Sequence, residues 1–176
     1  MSLKLDSRVT ADIGWSWSER KATTSVIENG NVRQQQVFTS DVSPEVDAVW
    51  SLQEAPLAGS AEVTYDLQNL TREVLDVETT IALEKLCAIY VCNQSSSGEI
   101  YVEMMETACG CSSGVTGSDP FLRATLPSKG FFCWCNPNAD SEVTTDQKQL
   151  VVGNATDQAA TYDLVVTGKK VVSEGV

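Results

Sequence analysis

The sequence contains no histidine. Imidazole is the commonest general base in enzymes, the usual partner of a nucleophilic serine or cysteine, and the commonest metal ligand. An enzyme built from this chain would have to use carboxylates alone, or Lys, Tyr or Cys side chains activated by another group. Phosphate-cradling glycine motifs and the nucleophile-elbow motif are also missing from the sequence. We therefore expect no catalytic activity and no cofactor.

Long apolar runs and clusters of basic residues are scarce too. No run reaches the roughly 18 apolar residues of a membrane span, and the polar segment 1–12 lacks the apolar stretch of a signal peptide. Twelve basic residues stand against 24 acidic ones, for a net charge of −12. Because this charge repels phosphate backbones and anionic lipids, we expect neither nucleic acid nor a membrane as a partner.

Alternation of apolar and polar residues is the recurring pattern, and it predicts strands with one buried face. In the clearest case, Ala61, Val63, Tyr65 and Leu67 fall on one face of an extended segment. Further strands are predicted at 13–17, 32–39, 48–52, 86–93, 98–105, 121–126, 130–135, 149–152 and 160–167. Asn29-Gly30 predicts a tight hairpin turn, and residues 77–85 fit one short helix. Segments 110–119 and 136–146 read as exposed loops.

About ten short strands separated by turns predict an all-β fold, an antiparallel two-sheet sandwich of jelly-roll type. The length of 176 residues is typical of one domain, so we assign 1–176 to a single domain, with residues 1–10 as a candidate extended arm.

Six cysteines lie in one stretch of the chain and include two C-x-C pairs: Cys87, Cys92, Cys109, Cys111, Cys133 and Cys135. Within a strand, residues i and i+2 share a face, so C-x-C directs both sulfurs the same way and does not wrap a metal. Three interpretations stay open: buried free thiols, disulfides, or a metal site made of Cys109, Cys111, Cys133 and Cys135. We assign no metal site, and a nucleophilic cysteine is disfavoured because no histidine can activate it.

Four tryptophans, Trp15, Trp17, Trp50 and Trp134, could stack on sugars, although packing in a core or interface is the simpler role. Trp15 and Trp17 are two residues apart and would share a face, which makes them candidates for an oligomer contact or a glycan contact. The acidic groups Glu99/Glu103/Glu106 and Asp41/Glu45/Asp47 are most simply interpreted as solvent-exposed faces. A hydrolase that uses only carboxylates is a further hypothesis. The sequons at Asn69, Asn93 and Asn154 are interpreted as chance occurrences.

The order of segments resembles that of small phage virion proteins that decorate or cement a capsid or sit in a tail. The similar features begin with the Trp-containing strand near the N-terminus. They continue with residues 56–70 (PLAGSAEVTYDLQNL), 88–93 (AIYVCN), 99–103 (EIYVE) and the turn 126–130 (LPSKG) before Phe131-Phe132. The end, from 150–155 (LVVGNA) to 160–168 (ATYDLVVTG), looks like the closing hairpin of many such domains.

This resemblance implies a jelly-roll-like sandwich, a homo-oligomer, and a major capsid or tail protein as partner. It also implies residence in the virion after assembly in the host cytoplasm. The expected function is that of a non-enzymatic virion structural protein. The alternative is a carbohydrate- or receptor-binding module that uses Trp and Tyr platforms.

Overall fold

The computed structural model describes residues 6–21, 24–39, 46–74, 77–104, 122–136, 141–145 and 148–171, and these form strands, turns and connecting loops without a helix. The all-β prediction is confirmed. Thirteen strands follow in chain order: β1 (Asp6–Lys21), β2 (Thr24–Thr39), β3 (Ala48–Leu57), β4 (Glu62–Asp66), β5 (Leu70–Val74), β6 (Val77–Ile81), β7 (Leu83–Asn93), β8 (Ile100–Met104), β9 (Leu122–Leu126), β10 (Phe131–Cys135), β11 (Ser141–Glu142), β12 (Gln149–Asn154) and β13 (Ala160–Lys170).

Two antiparallel sheets form the body of the protein. The first sheet has the order β10-β7-β13-β3, with β11 also pairing with β7, and the second sheet has the order β4-β12-β8-β9. Two hairpins stand beside them, β1 with β2 and β5 with β6. The predicted two-sheet sandwich is confirmed.

The core lies between the two sheets and is formed by alternate residues of each strand. Leu164 and Val166 of the first sheet belong to the same buried cluster as Val102 and Val152 of the second. The face predicted for 61–67 is confirmed, because Val63 and Tyr65 pack on this cluster and Leu67 is buried. Alternation succeeds as a predictor here because each sheet covers the core with one face and leaves the other outside.

The helix predicted at 77–85 is wrong. Residues 77–81 form strand β6, which pairs with β5, and residues 83–85 begin the central strand β7. Val77, Thr79, Thr80 and Ile81 are β-branched side chains, which lose rotamer freedom in a helix and suit a pleated strand. Strands β5, β6 and β11 were not expected from the sequence.

The turn predicted at Asn29-Gly30 is also wrong. Both residues lie inside β2, where Asn29 pairs with Ser16 and Gly30 with Trp15. Pairing continues without a break to Lys21 and Thr24, and residues 22–23 lie outside the described residues. The local turn preference of Asn-Gly is overridden by the long ladder that surrounds it.

The closing hairpin implied by the resemblance is wrong as well. Strand β12 lies in the second sheet and β13 in the first, so their connection crosses from one sheet to the other. Of the two predicted loops, 110–119 lies outside the described residues. In the other, Ser141 and Glu142 add a short strand to the edge of β7.

Two sequons serve as structural turns. Asn93 and Asn154 are 0% and 4% exposed, and each side-chain oxygen accepts a hydrogen bond from the backbone N–H two residues later, at Ser95 and Thr156. The Asn154 amide donates to the carbonyl oxygens of Ala58 and Gln158 at 3.1 and 2.7 Å. Both side-chain amides are therefore hydrogen-bonded inside the fold and inaccessible for glycosylation. These hydrogen bonds explain why asparagine occurs at the two positions.

Replacing Asn154 with alanine is expected to lower the free energy of unfolding by about 2 kcal/mol, because a buried side chain that donates to the carbonyl oxygens of Ala58 and Gln158 and accepts from the Thr156 N–H is lost. Urea denaturation measures the change. Asn69→Ala is the matched control: it alters an exposed sequon and should cost less than about 0.5 kcal/mol. Equal losses in the two variants would contradict the structural role of Asn154.

Candidate functional site

The hairpin of β1 and β2, residues 6–21 and 24–39, is called the arm. Its strands pair over 16 residues each, from Asp6 with Thr39 to Lys21 with Thr24. At about 3.3 Å per residue the arm is about 53 Å long, far longer than any other hairpin among the described residues. A two-stranded ribbon by itself is marginally stable in water.

One side of the arm carries apolar residues. Alternate positions of β1 place Val9, Ala11 and Ile13 on one side of the ribbon, called the apolar row. Ile13 pairs with Val32 of β2 in the backbone ladder. The opposite side holds polar residues such as Asp12, whose carboxylate accepts a hydrogen bond from the Asn31 amide at 2.6 Å. Trp15 and Trp17 both lie in β1, and their side chains are outside the described part of the structure, so their shared face stays a prediction.

The middle of the arm is uncovered on both sides. Ala11, Asp12 and Ile13 are successive and all exposed, as are Arg33, Gln34 and Gln35 on the partner strand. Since successive residues of a strand point to opposite faces, neither face is packed at this level. Ile13 is 68% exposed although it belongs to the apolar row. The apolar row therefore lacks a partner at its middle.

The outer face of the first sheet is the second notable surface. It is called the cysteine face, and its residues are Cys87, Ala88, Tyr90, Cys92, Phe131, Cys133, Cys135, Val165 and Thr167. The shared face predicted for C-x-C is confirmed for Cys133 and Cys135 in β10, since the alternate residues Phe132 and Trp134 pack on the core. Cys109 and Cys111 lie outside the described residues.

Aromatic rings leave part of the cysteine face apolar and open. Tyr90 and Phe131 stack with ring centroids 6.2 Å apart, and they are 37% and 66% exposed. A side-chain hydrogen bond with Cys92, followed by burial, raises the pKa of Tyr90 to about 12. This surface was not expected from the sequence, although the alternation of Cys133 and Cys135 with Phe132 and Trp134 carries the signal.

The base of the arm lies against the cysteine face. Val9 and Cys135 pack with the buried pair Val46 and Cys87. Between residues 8–10 and the sheet is a groove of about 280 Å³, lined by Ala88, Tyr90, Cys133 and Val165 among others. Val165, the residue that breaks the polar face of β13, lines this groove. Thr167 also lines it, and its buried hydroxyl has no hydrogen-bond partner among the described residues.

Three thiols of this face, those of Cys87, Cys133 and Cys135, have pKa values raised above the ordinary value, which disfavours the thiolate at neutral pH. Burial, reinforced by Cys135, raises the pKa of Cys87 from 9.0 to about 11. Burial, reinforced by Cys133, raises that of Cys135 to about 11, and burial also raises the pKa of Cys133. Only the thiolate attacks or binds metal. Within the described ranges the cysteines are free, and no group of three Cys, Asp or Glu residues is placed to hold a metal ion.

These thiols predict a loss of stability at alkaline pH. Their pKa is higher in the folded than in the unfolded state, so their contribution is complete below about pH 9 and is lost between about pH 9 and 11. We expect the melting temperature to fall over that window. The double variant Cys87→Ala/Cys135→Ala should show a shallower fall in melting temperature. The part of the fall that remains in this variant comes from ionisation of the buried tyrosines. Identical slopes for the two proteins would count against this assignment.

The outer face of the second sheet has a different character. Tyr101 lies across Gly153, where an added Cβ would meet its ring at 2.1 Å, and the Arg123 guanidinium stacks on the ring 4.1 Å from its centroid. Arg123 also pairs with Glu103 at 2.7 Å, and Lys148 with Asp66 at 2.7 Å. This face is charged and internally paired, so the cysteine face is the apolar one of the two.

Two of the four tryptophans pack in the core and are not available for stacking on a sugar. Trp50 is 3% exposed and donates its Nε1–H to the Thr71 carbonyl oxygen at 2.8 Å, and Trp134 packs on the core. Neither can act as an open platform. A second groove, of about 690 Å³, lies at one end of the sandwich among Ala58, Gln94, Ser97, Lys129 and Thr161, and its lining holds no aromatic residue. Only Trp15 and Trp17 remain as candidate contacts.

The two acidic groups named from the sequence are only partly described. Glu103 pairs with Arg123, Glu99 is exposed, and the Asp47 carboxylate accepts a hydrogen bond from the backbone N–H of Lys170 at 2.7 Å. Glu106, Asp41 and Glu45 lie outside the described residues. No helix within the described ranges is long and apolar enough to span a membrane.

No protein-family model and no curated protein matches this chain.

Proposed function

We propose that this chain is a non-enzymatic structural protein of a phage particle, which decorates or cements the capsid or forms part of a tail. It works through self-association and strand-face contacts. The observation that carries the proposal is the arm, a ribbon of 16 paired residues per strand whose middle is uncovered on both sides. Because such a ribbon is marginal in water, a partner that covers its apolar row stabilises it. Assembly supplies that partner.

Charge distribution supports the same function. Residues 6–39 hold four acidic residues (Asp6, Asp12, Glu19, Glu28) and four basic ones (Arg8, Arg20, Lys21, Arg33), so the net charge of −12 lies entirely outside the arm. Acidic bodies repel one another, which opposes non-specific aggregation. A neutral arm bridges such bodies without adding to the repulsion.

The partners that follow from this proposal are further copies of the chain and a major capsid or tail protein. Nucleic acid and membranes are disfavoured by the acidic charge. Assembly in a reducing host cytoplasm agrees with free thiols at Cys87, Cys92, Cys133 and Cys135. The finished protein resides in the virion.

Co-sedimentation with purified phage capsids and tails tests the proposal. The chain should pellet with one of the two at a fixed ratio and stay in the supernatant without particles. Particles coated with serum albumin serve as a control for trapping. A chain that pellets with neither capsids nor tails would contradict the proposal.

A glycan- or receptor-binding module is the alternative, favoured by the two-residue spacing of Trp15 and Trp17 within β1. A glycan array probed with and without calcium separates the two functions. The structural proposal expects no bound glycan. Binding that disappears in the Trp15→Ala/Trp17→Ala variant would support the alternative instead.

A further inference from the structure

We infer that the apolar row of the arm docks on the cysteine face of a second copy of this chain. The inference rests on the proposed self-association and names the surface that receives the arm. Both surfaces are exposed in the single chain: the apolar row at Ile13, and an apolar patch formed by Tyr90, Phe131 and Cys133.

The base of the arm already shows this contact within one chain. Val9 belongs to the apolar row and packs with Val46, Cys87 and Cys135 at the edge of the cysteine face. Beyond Thr10 the ribbon leaves the sheet, because residues 11–13 are exposed on both sides. The apolar row and the cysteine face thus both continue past the intrachain contact, and neither has a partner there. In a pair of copies, the apolar row of one chain can cover the cysteine face of the other.

Charge and the continuity of both surfaces with the intrachain contact favour a second copy as the occupant. The part of the arm beyond Thr10 pairs over 11 residues of each strand and is about 36 Å long and about 10 Å wide, so docking of one side buries about 700 Å² in total, the size of a weak and reversible contact. The arm is neutral, whereas the remainder of the chain carries the whole net charge of −12. The arm therefore meets the acidic body of another copy without net repulsion. The second sheet is a poorer receiver, since its outer side chains are paired with one another.

Native Cys133 makes the contact measurable. A ¹⁵N-labelled chain carrying Ile13→Cys and Cys133→Ser is mixed with unlabelled wild-type protein and oxidised with diamide, which accepts the two electrons and two protons of the thiol pair. After proteolysis, mass spectrometry should find the labelled peptide of position 13 joined to an unlabelled peptide containing Cys133 or its neighbour Cys92. Any labelled-to-unlabelled link is between two chains by design.

The matched control places the new thiol one residue away. Asp12→Cys, in the same Cys133→Ser background, presents an equally exposed thiol on the opposite side of the ribbon. We expect at least a tenfold lower yield of the same link. Equal yields from positions 12 and 13, or links only to cysteines other than Cys133 and Cys92, would overturn the inference.

A second variant tests the receiving surface without new cysteines. Phe131→Asp changes a residue that is 66% exposed, so the fold should tolerate it, and self-association should weaken by at least tenfold. Thr64→Asp adds the same charge to an exposed site of the second sheet and should leave association unchanged. If wild-type protein associates while Phe131→Asp has no effect, the inference fails and the proposed function stands. If wild-type protein never associates, both fail.

Discussion

Replacing Ile13 with aspartate is expected to weaken self-association by about 100-fold while leaving the fold intact. The side chain is 68% exposed in the single chain, so the monomer loses little when it is changed. In the proposed assembly the same position is covered, and burying an unpaired carboxylate there in place of an apolar side chain would cost about 3 kcal/mol, which corresponds to that factor. Sedimentation velocity over a concentration series measures the association, and circular dichroism checks that the fold is retained.

Ser16→Asp is the control for the Ile13 variant. It adds the same charge to the same strand, but Ser16 lies on the polar side of the arm and is exposed. Its association should differ from that of the wild-type protein by less than about threefold. A similar weakening in both variants would show that the arm responds to charge in general, and the assignment of an apolar contact side would then be wrong.

Truncation of Leu164 to alanine is expected to lower the free energy of unfolding by about 3 kcal/mol. Leu164 is fully buried in β13, which pairs with β7 on one side and β3 on the other, and its side chain belongs to the cluster between the sheets. Removing a buried leucine side chain loses its transfer free energy and leaves a cavity that the central strands cannot close. Chemical denaturation in urea gives the change.

The adjacent residue provides the control for Leu164. Val165 lies on the same strand but faces the groove beneath the arm, where it is half-buried. Val165→Ala should cost less than about 1 kcal/mol in the same experiment. Comparable losses at positions 164 and 165 would mean that the core does not lie on the predicted side of β13.

Much of the fold could be predicted because most strands bury one face. Alternation alone identifies the inward residues of segments such as 61–67 and 160–166, since the two sheets enclose a single core. It also predicts that Cys133 and Cys135 share a face. It does not identify pairing partners, so the assignment of β12 and β13 to different sheets had no local signal.

The errors occurred where longer-range pairing overrides a local preference. Asn29-Gly30 favours a turn, but it is held in a strand by a ladder of 16 residue pairs. Residues 77–81 fit a helical repeat over a short window and instead pair with β5. Only part of the candidate site can be predicted from the sequence. The spacing of Trp15 and Trp17 predicts a shared face. The exposure of Ile13 and Phe131 depends on which parts of the arm pack on the first sheet, and local sequence does not encode this.

Sedimentation velocity of the 176-residue chain at increasing concentration is the most direct test of the central claim that this protein acts by assembling through its arm. The account predicts a mass that rises from the 19.0 kDa of one chain to a defined multiple of it, and a return to 19.0 kDa in the Ile13→Asp variant at the same concentration. A wild-type chain that stays at 19.0 kDa throughout would contradict it.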